Sequence, residues 1–427
     1  MSAVETAQAG PTNAGSPRIN AEAIRAQFPV LQQILPNGQR PVYLDSGASA
    51  QKPQVVIDKE REVECNYYAN AFRGRYLFGA RIDDEMEAAR AAIARFLNAP
   101  SPGCIAFTPG STAALNMIAF GWGRRHVQAG DRVVVSVMEH HANFVPWQQL
   151  ALQQRAEFSV VPVTADGLLD LDVLDRLLDQ QTKVVALCGM SNVLGTMPPL
   201  KLLSQKAHAC GAIFVVDGAQ SVPHVATDVR GDGIDFLVFS GHKCYGPSGV
   251  GVVYGRKELL EQTEPILFGG HMVDQVRIEE STWASPPARF EAGTLPIVPV
   301  IALRTAIEFV RDIGFAAIHK QEQELLALAH QALCEVTGVK IYGPGPAAKG
   351  PIVSFTMDGA AAEDVAHLLD RKGVFVRHGH HCAMPLHNWL NVPATIRASF
   401  GVYTNADDIH RLADALRYVR QRLRLDD

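Results

Sequence analysis

Residues 236–247 read FLVFSGHKCYGP, an apolar run that ends in polar residues and then breaks at glycine and proline. The apolar part predicts a buried strand, which places Ser240, His242 and Lys243 at its carboxyl end. Open α/β sheets bind ligands at that edge. Apolar walls lower the pKa of a lysine there and make its amine nucleophilic, as Schiff-base chemistry with an aldehyde cofactor requires. A solvated surface lysine explains these residues equally well.

Around this stretch, short apolar runs alternate with helical patterns through the middle of the chain. Each run is bounded by turn or polar residues, as buried parallel strands are. The predicted strands are residues 132–137, 183–187, 212–216 and 236–239. Two of the predicted helices are residues 85–97 and 200–210. The alternation predicts a doubly wound α/β sheet with helices on both faces.

The C-terminal part predicts a second, smaller α+β domain after a helix at residues 298–310. Its predicted elements are a helix at 321–336, strands at 352–357, 374–377 and 395–400, and helices at 362–372 and 407–423. A helix near residues 21–28 is expected to pack on it. The predicted units are a flexible tail at residues 1–20, a segment at 21–40 that packs on the small domain, a large domain at 41–310 and a small domain at 311–427.

Composition excludes several classes of protein. A net charge of −5 over 427 residues leaves no evident basic face for nucleic acid. No apolar run approaches the roughly 18 residues of a membrane span, and residues 1–20 lack the basic start and apolar core of a secretory signal. The seven cysteines are odd in number and contain no CxxC pair. This pattern favours reduced thiols in the cytoplasm over a disulfide framework or a zinc site.

A second polar residue, Asp217, ends another predicted buried strand. A buried carboxylate is costly unless it is paired. A protonated pyridine nitrogen is one such partner, and its protonation makes the ring of pyridoxal phosphate (PLP) an electron sink. Gln220, three residues later, is placed to donate to the phenolic oxygen of that ring. An arginine partner or a helix cap is the alternative explanation for Asp217.

Two further strand ends carry polar groups. Ser111 and Thr112 follow Gly110 and open a predicted helix, which makes an anion site or a simple N-cap. His140 lies in the sequence MEHHAN after another strand, where it can stack on a flat ring and move protons. A solvated loop and a metal site are its alternatives, and adjacent histidines without nearby cysteine or aspartate make a poor chelate. The lysine, the acid, the anion site and the histidine share one sheet edge, so together they favour PLP.

These motifs give the chain a family resemblance. It resembles the fold-type I PLP enzymes of the aminotransferase class V group, and within them the Suf-type (group II) cysteine desulfurases and the related selenocysteine lyases. The matching segments are residues 43–53, 138–147, 191–196, 216–220, 240–247, 289–294 and 377–386. The resemblance implies a large domain with a mainly parallel seven-stranded sheet between helices, followed by a smaller α+β domain that carries the catalytic cysteine loop.

The resemblance also implies the roles of the cofactor-binding residues. Lys243 would carry PLP as a Schiff base, His140 would stack on its ring and Asp217 would bind its nitrogen. Further cofactor contacts are implied for Ser111, Thr112, Asn192, Gln220, Ser240 and His242. Thr294 would reach the phosphate of the cofactor in the neighbouring subunit, which requires a homodimer.

The substrate and the reaction follow from three more residues. The resemblance implies that Arg397 clamps the substrate carboxylate, assisted by Arg377 and Asn192; a salt bridge is the alternative for Arg397. Cys382 lies in a loop among basic neighbours that favour its thiolate. It would take sulfur from L-cysteine as a persulfide and leave alanine, unless it is an inert loop cysteine. The short loop implies a SufE-like or SufU-like acceptor protein.

Two segments depart from the family pattern. Residues 72–76 read Phe-Arg-Gly-Arg-Tyr in place of His-Arg-Gly-Ile-His, and residues 109–113 read Pro-Gly-Ser-Thr-Ala in place of Arg-Gly-Thr-Thr-Glu. We therefore expect a cytoplasmic PLP-dependent cysteine desulfurase that supplies iron–sulfur cluster assembly, with substrate preference and acceptor left open. The alternatives are a selenocysteine lyase, an aminotransferase or epimerase, and a non-catalytic scaffold for iron–sulfur assembly.

Overall fold

The computed structural model describes residues 19–72 and 74–425. The predicted flexible tail therefore lies outside the described residues, apart from Ile19 and Asn20. Asn20 is the N-cap of the first helix, Ala21–Arg25, where its side chain accepts the N–H of Ala23. In the part of the chain that is described, no helix is long and apolar enough to cross a membrane.

Seven strands form the central sheet of the large unit, as the fold prediction requires. In spatial order they are Ile105–Thr108, Gly251–Gly255, Phe236–Ser240, Ile213–Asp217, Thr182–Cys188, Arg132–Ser136 and Glu157–Val161. Only Gly251–Gly255 runs antiparallel to its neighbours. All the other neighbouring strands are parallel. The four predicted strands are present within a residue or two, and the fold class is confirmed.

The strand Phe236–Ser240 shows why the central strands are apolar throughout. Successive side chains of a strand point to opposite faces of the sheet. Leu237 and Phe239 therefore pack into the core on one face, and Phe236 and Val238 into the core on the other. Each such buried side chain contributes about 1.5–3 kcal/mol to folding. Helices must cover both faces for this pattern to be stable.

Fourteen α-helices lie within residues 19–72 and 74–425. They are Ala21–Arg25, Gln54–Asn66, Leu77–Phe96, Ser111–Met117, Arg124–His126, His141–Gln154, Leu171–Leu177, Leu200–Ala209, Lys257–Gln262, Ile297–Ile313, Phe315–Cys334, Ala362–Asp370, Met384–Leu390 and Ala406–Leu423. A π-helical segment, Ile118–Gly123, joins the fourth helix to the fifth. The helix predicted at residues 85–97 begins earlier, at Leu77, and the one predicted at 21–28 ends at Arg25.

The C-terminal unit contains an antiparallel four-stranded sheet. Its spatial order is Val339–Tyr342, Ile352–Met357, Thr395–Ser399 and Arg377–Gly379. The single strand predicted at residues 374–377 is wrong. Val374–Phe375 pairs instead with Val42–Tyr43, far away in the sequence, and the chain then changes partner. An exposed two-stranded ribbon, Val273–Val276 with Ser281–Trp283, completes the strands.

The N-terminal segment contacts both units. The buried Arg25 donates to Asp408 on the last helix at 2.8 Å. The Phe28 ring packs edge-on against Tyr403 of the C-terminal unit and against Phe309 of the helix Ile297–Ile313. The segment therefore lies across the junction of the two units, and the predicted division into domains stays a prediction.

Candidate active site

A cavity of about 960 Å³ lies at the carboxyl edge of the central sheet, where the C-terminal unit faces it. Parallel strands end at this edge, so the loops that follow them converge there. The predicted site residues that line the cavity are Ser111, Thr112, His140, Asn192, Ser240, His242, Lys243, Arg377, Cys382 and Arg397. Residues more than 280 positions apart in the sequence are thus brought to one cavity (Ser111 and Arg397).

Lys243 reaches the cavity from a tight turn after its strand. A Cβ atom on Gly241 would lie 2.8 Å from Val250 Cγ1 and 3.0 Å from the Pro247 carbonyl oxygen, so the turn requires glycine. Burial lowers the pKa of the Lys243 amine to about 8, and the negative charge of Asp217 opposes that shift. No described residue forms an ion pair with this amine. A half-buried amine of lowered pKa, without an ion-pair partner among the described residues, fits a Schiff-base lysine.

Asp217 ends the strand next to Phe236–Ser240 and does not itself line the cavity. One carboxylate oxygen accepts the N–H of Ala219 at 3.0 Å. Burial raises the pKa of Asp217, and Lys243 lowers it less. Within the described residues no arginine, lysine or histidine forms an ion pair with Asp217. Pairing with an arginine, one alternative explanation for this buried acid, is therefore not observed there. Gln220 does not line the cavity either, but its amide donates at 2.7 Å to the carbonyl of Gly47, which does.

Hydroxyl groups cluster where the strand Phe236–Ser240 meets the helix Ser111–Met117. Ser240 Oγ accepts the Ser111 N–H and donates to Ser111 Oγ, both at 2.9 Å. Thr112 and His242 line the same corner of the cavity. Burial, aided by Lys243, lowers the pKa of His242 to about 4. Hydroxyl donors and a helix start beside a lysine fit a phosphate group.

His140 has a defined protonation state. Its Nδ1 accepts the N–H of Ala142 at 3.0 Å, as the N-cap of the helix His141–Gln154. Burial, with Lys243 as the next cause, lowers its pKa to about 4. The ring is therefore neutral near pH 7 and carries its proton on Nε2. A neutral ring with a free donor fits the predicted stacking and proton-transfer roles.

Beneath His140 lies a buried carboxyl group that the motif analysis did not single out. Glu139 accepts hydrogen bonds from the Ser136 hydroxyl and, at 2.6 Å, from the Asn143 amide. Asn143 in turn accepts the indole N–H of Trp147 at 3.0 Å. Burial raises the pKa of Glu139 to about 7. An acid next to the predicted stacking histidine was the signal in the sequence, but its partners become clear only in the fold.

Two arginines share one carboxylate at the cavity wall. The buried Arg397 donates to the Asn192 carbonyl at 3.0 Å and to Asp45 at 3.2 Å, and its Nε has no partner within residues 19–72 and 74–425. Arg377 also donates to Asp45, at 2.8 Å. Both guanidinium groups are thus paired with Asp45, which is the salt bridge given as the alternative for Arg397. The unpartnered Nε of Arg397 is the donor that remains for a substrate carboxylate. Sequence reasoning assigned no role to Asp45, although it too ends an apolar run.

Cys382 is exposed at the cavity in an unusual backbone conformation. The φ angles of His381 and Cys382 are 50° and 55°. Each left-handed residue of this kind costs about 1–3 kcal/mol, which the surroundings must offset. Asn192 Nδ2 donates to the His381 carbonyl at 2.7 Å. Asn192, which is predicted to contact both the cofactor and the substrate, thus also contacts the loop that carries Cys382.

Thr294 is the predicted site residue that lies apart. It lines a neighbouring cavity of about 250 Å³ together with Leu267. The predicted partner of Thr294 is the cofactor of a second subunit, so that role stays a prediction. Pro109 and Ala113, two of the departures from the family pattern, line both cavities. Phe72, a third departure, stacks on His271, while Arg73 lies outside the described residues.

Comparison with known proteins places this geometry in context. Residues 42–412 match the family model of aminotransferase class-V. A cysteine desulfurase from Dickeya dadantii is 45% identical over 403 residues, which cover 94% of this chain and 97% of that protein. A relative from Halalkalibacterium halodurans named "Probable cysteine desulfurase" is 44% identical and covers 94% and 98%. The structure of the cysteine desulfurase CsdA from Escherichia coli superposes with a TM-score of 0.88 at 37% identity, covering 95% of this chain and 99% of that chain.

Proposed function

This chain belongs to the aminotransferase class-V family and to its cysteine desulfurases, and on that premise we propose how its cavity removes sulfur from L-cysteine. Lys243 holds PLP, the arginines hold the substrate carboxylate and Cys382 receives the sulfur. One observation carries this assignment: a single cavity is lined by a half-buried lysine amine, a buried arginine and an exposed cysteine thiol.

The residues around Lys243 fit PLP. The half-buried amine of Lys243, the buried carboxyl of Asp217 and the hydroxyl cluster at Ser111 and Ser240 match its aldehyde, ring nitrogen and phosphate in turn. When bound, PLP supplies an electron sink for negative charge at the substrate α-carbon. Asn192, Gln220, Thr112 and His242 are proposed as further contacts.

Protein side chains supply the rest of the chemistry. Arg397, with Arg377, binds the substrate carboxylate and so fixes the substrate in the cavity. The amine of Lys243, with its lowered pKa, is the proposed base for the α proton near neutral pH. His140 carries a proton on Nε2 and is the proposed donor in later steps.

Cys382 is the proposed nucleophile. Its thiolate attacks the sulfur of the substrate, so an S–S bond forms while the substrate Cβ–S bond breaks. The electron pair of the broken bond passes to the carbon skeleton, which is released as alanine after protonation. The enzyme is left with a persulfide on Cys382, whose terminal sulfur then passes to an acceptor thiol.

The proposed partner is a SufE-like or SufU-like acceptor protein that serves iron–sulfur cluster assembly. Met384 and Trp389 are exposed on the helix that follows Cys382, which supports contact with a partner protein close to that loop. We also propose a homodimer in the cytoplasm. The exposed Leu267 lines the same cavity as Thr294, and the exposed Phe268 follows Leu267 in the chain. These apolar side chains support a second copy at that face.

The function is tested by supplying L-cysteine to the purified, PLP-loaded protein and measuring alanine and sulfide, with SufE-like and SufU-like proteins added in turn. We expect equal amounts of alanine and transferred sulfur, and a faster rate with the correct acceptor. L-selenocysteine is assayed in parallel. Turnover of selenocysteine alone would assign the lyase activity, and conversion of another amino acid without sulfide would assign transamination or epimerisation.

A further inference from the structure

The loop that carries Cys382 needs support from its surroundings. His381 and Cys382 are consecutive non-glycine residues with φ of 50° and 55°. L-residues rarely adopt this left-handed region, and they do so mostly one at a time. Groups outside the loop must therefore hold it for Cys382 to keep its place at the cavity.

The large unit holds this loop from the cofactor side. Asn192 Nδ2 donates to the His381 carbonyl at 2.7 Å. The main-chain N–H of His141 donates to the Cys382 carbonyl, also at 2.7 Å. The ring of His141 then accepts the N–H of Met384 at Nε2, at 3.1 Å. His141 thus binds the loop twice, once with its main chain and once with its side chain.

The C-terminal unit holds the loop from the other side. His387 Nδ1 lies 3.0 Å from the Ala383 carbonyl, and because a carbonyl only accepts, Nδ1 carries the proton. His387 Nε2 then accepts from the Thr395 hydroxyl at 3.1 Å, and the hydroxyl oxygen accepts from His381 Nε2 at 3.0 Å. Burial lowers the pKa of both imidazoles, so they stay neutral and this arrangement of protons is kept.

The protonation of His141 follows from the same reasoning. The N–H of Met384 can only donate, so the Nε2 of His141 is unprotonated and its neutral ring carries the proton on Nδ1. Burial lowers the pKa of His141, and the neighbouring His380 lowers it further, which favours this neutral form. The acceptor that Met384 needs is therefore present at neutral pH.

We propose that His141 is a positioning residue that holds the Cys382 loop against the His140 segment, so that the thiol stays aligned with the sulfur of the substrate. His140 and His141 are neighbours in the chain. A single peptide bond therefore separates the residue proposed to stack on the cofactor, His140, from the residue that is hydrogen-bonded to the loop of the nucleophile, His141. This inference rests on the proposed role of Cys382 in sulfur transfer.

Two substitutions separate the side chain from the main chain. His141→Ala removes the acceptor for Met384 but keeps the main-chain bond to Cys382. His141→Gln restores an acceptor, because its Oε1 can occupy the position of Nε2. His367→Ala is the matched control, since it removes an exposed imidazole from the C-terminal unit, away from the cavity.

The first measurement is amide hydrogen exchange at Met384, and the second is the single-turnover rate of persulfide formation from L-cysteine in the PLP-loaded protein. In His141→Ala we expect faster exchange at Met384 and persulfide formation slower by roughly 10- to 100-fold, the range that a misplacement of about 1 Å produces. L-cysteine binding, followed by the cofactor absorbance, should not change. Both effects should be largely reversed in His141→Gln and absent in His367→Ala.

Each contrary result has its own meaning. Unchanged exchange at Met384 in His141→Ala would show that the ring does not hold the loop. Faster exchange with normal persulfide formation would overturn the positioning role, and so would a His141→Gln variant no better than His141→Ala. A wild-type protein that forms no persulfide at all would instead refute the proposed function, while the exchange at Met384 still decides whether His141 holds the loop.

Discussion

The site around Lys243 and the loop around Cys382 are held in place by different means. Lys243 and Asp217 follow adjacent strands of the central sheet, so the backbone ladder of the sheet places them. Cys382 lies in a left-handed loop that is placed by side chains from both structural units. The cofactor chemistry therefore depends on the fold of one unit, and sulfur transfer depends on how the two units meet.

This difference predicts that the two functions can be lost separately. Changes at the sheet edge should remove cofactor binding or its electronic effect. Changes at the loop should spare the cofactor and remove sulfur transfer. The following variants test the sheet edge and its surroundings, from the largest expected effect to the smallest, and Cys382→Ala in the last experiment tests the loop.

Lys243→Ala should have the largest effect. It removes the amine that is proposed to form the Schiff base, so both the borohydride-sensitive absorbance of the cofactor and alanine formation should fall to background. Absorbance spectra and a single-turnover alanine assay measure the two losses. Lys52→Ala, which changes another lysine that is half-buried, serves as the control. Normal alanine formation in Lys243→Ala would remove this residue from the mechanism.

Asp217→Asn should retain the cofactor but lower kcat by about 10²-fold, since it removes a charge that stabilises the protonated ring. The expected signature is a normal Schiff-base absorbance with slow alanine release. Steady-state kinetics on L-cysteine measures the change. A kcat within a factor of two of wild type would show that the carboxylate of Asp217 has only a structural role.

Asp45→Asn tests the substrate end of the cavity. Asparagine keeps one acceptor for the arginines but removes the charge that orients Arg397 and Arg377. We expect the KM for L-cysteine to rise roughly 3- to 10-fold, as the loss of about 1 kcal/mol implies. The kcat should be nearly unchanged. A fall in kcat with an unchanged KM would show that Asp45 acts on the chemical step.

Glu139→Gln should have the smallest effect on catalysis, because it changes the pH dependence of stability and not a residue proposed to contact the substrate. Burial raises the pKa of Glu139 to about 7 in the folded protein, from 4.5. A carboxyl group whose pKa is higher in the folded protein stabilises the fold fully at pH values below its pKa in the unfolded chain. This stabilisation is lost as the pH rises through its pKa in the folded protein. Wild type should therefore lose up to roughly 3 kcal/mol relative to Glu139→Gln between pH 4.5 and 8. Denaturant unfolding at several pH values measures this difference, and parallel curves would contradict it.

The fold was largely predictable because the central strands are buried on both faces. Their continuous apolar runs, such as residues 236–239, stand out in the sequence. The strand Gly251–Gly255 was missed because a glycine stands at each of its ends, which is typical of a turn. Residues 374–377 were predicted as one strand but belong to two, Val374–Phe375 and Arg377–Gly379, because the first pairs with Val42–Tyr43, more than 300 residues away. Such pairing leaves no local pattern.

The same contrast holds within the candidate site. Lys243 and Asp217 could be proposed because a polar residue at the end of an apolar run is a local signal. Asp45 and His141 were not assigned roles, because their partners come from the C-terminal unit. No spacing along the chain predicts that His141 meets Met384. Contacts between the units become visible only once both have been placed.

The most direct test of the account is to locate the sulfur after one turnover. The PLP-loaded protein is mixed with one equivalent of L-cysteine without reductant, then alkylated, digested and analysed by mass spectrometry. The account predicts one extra sulfur atom on the peptide that contains Cys382, with an equal amount of alanine. The variant Cys382→Ala should keep the cofactor absorbance but form neither product. Stoichiometric alanine from that variant, or a persulfide on another cysteine, would contradict the account.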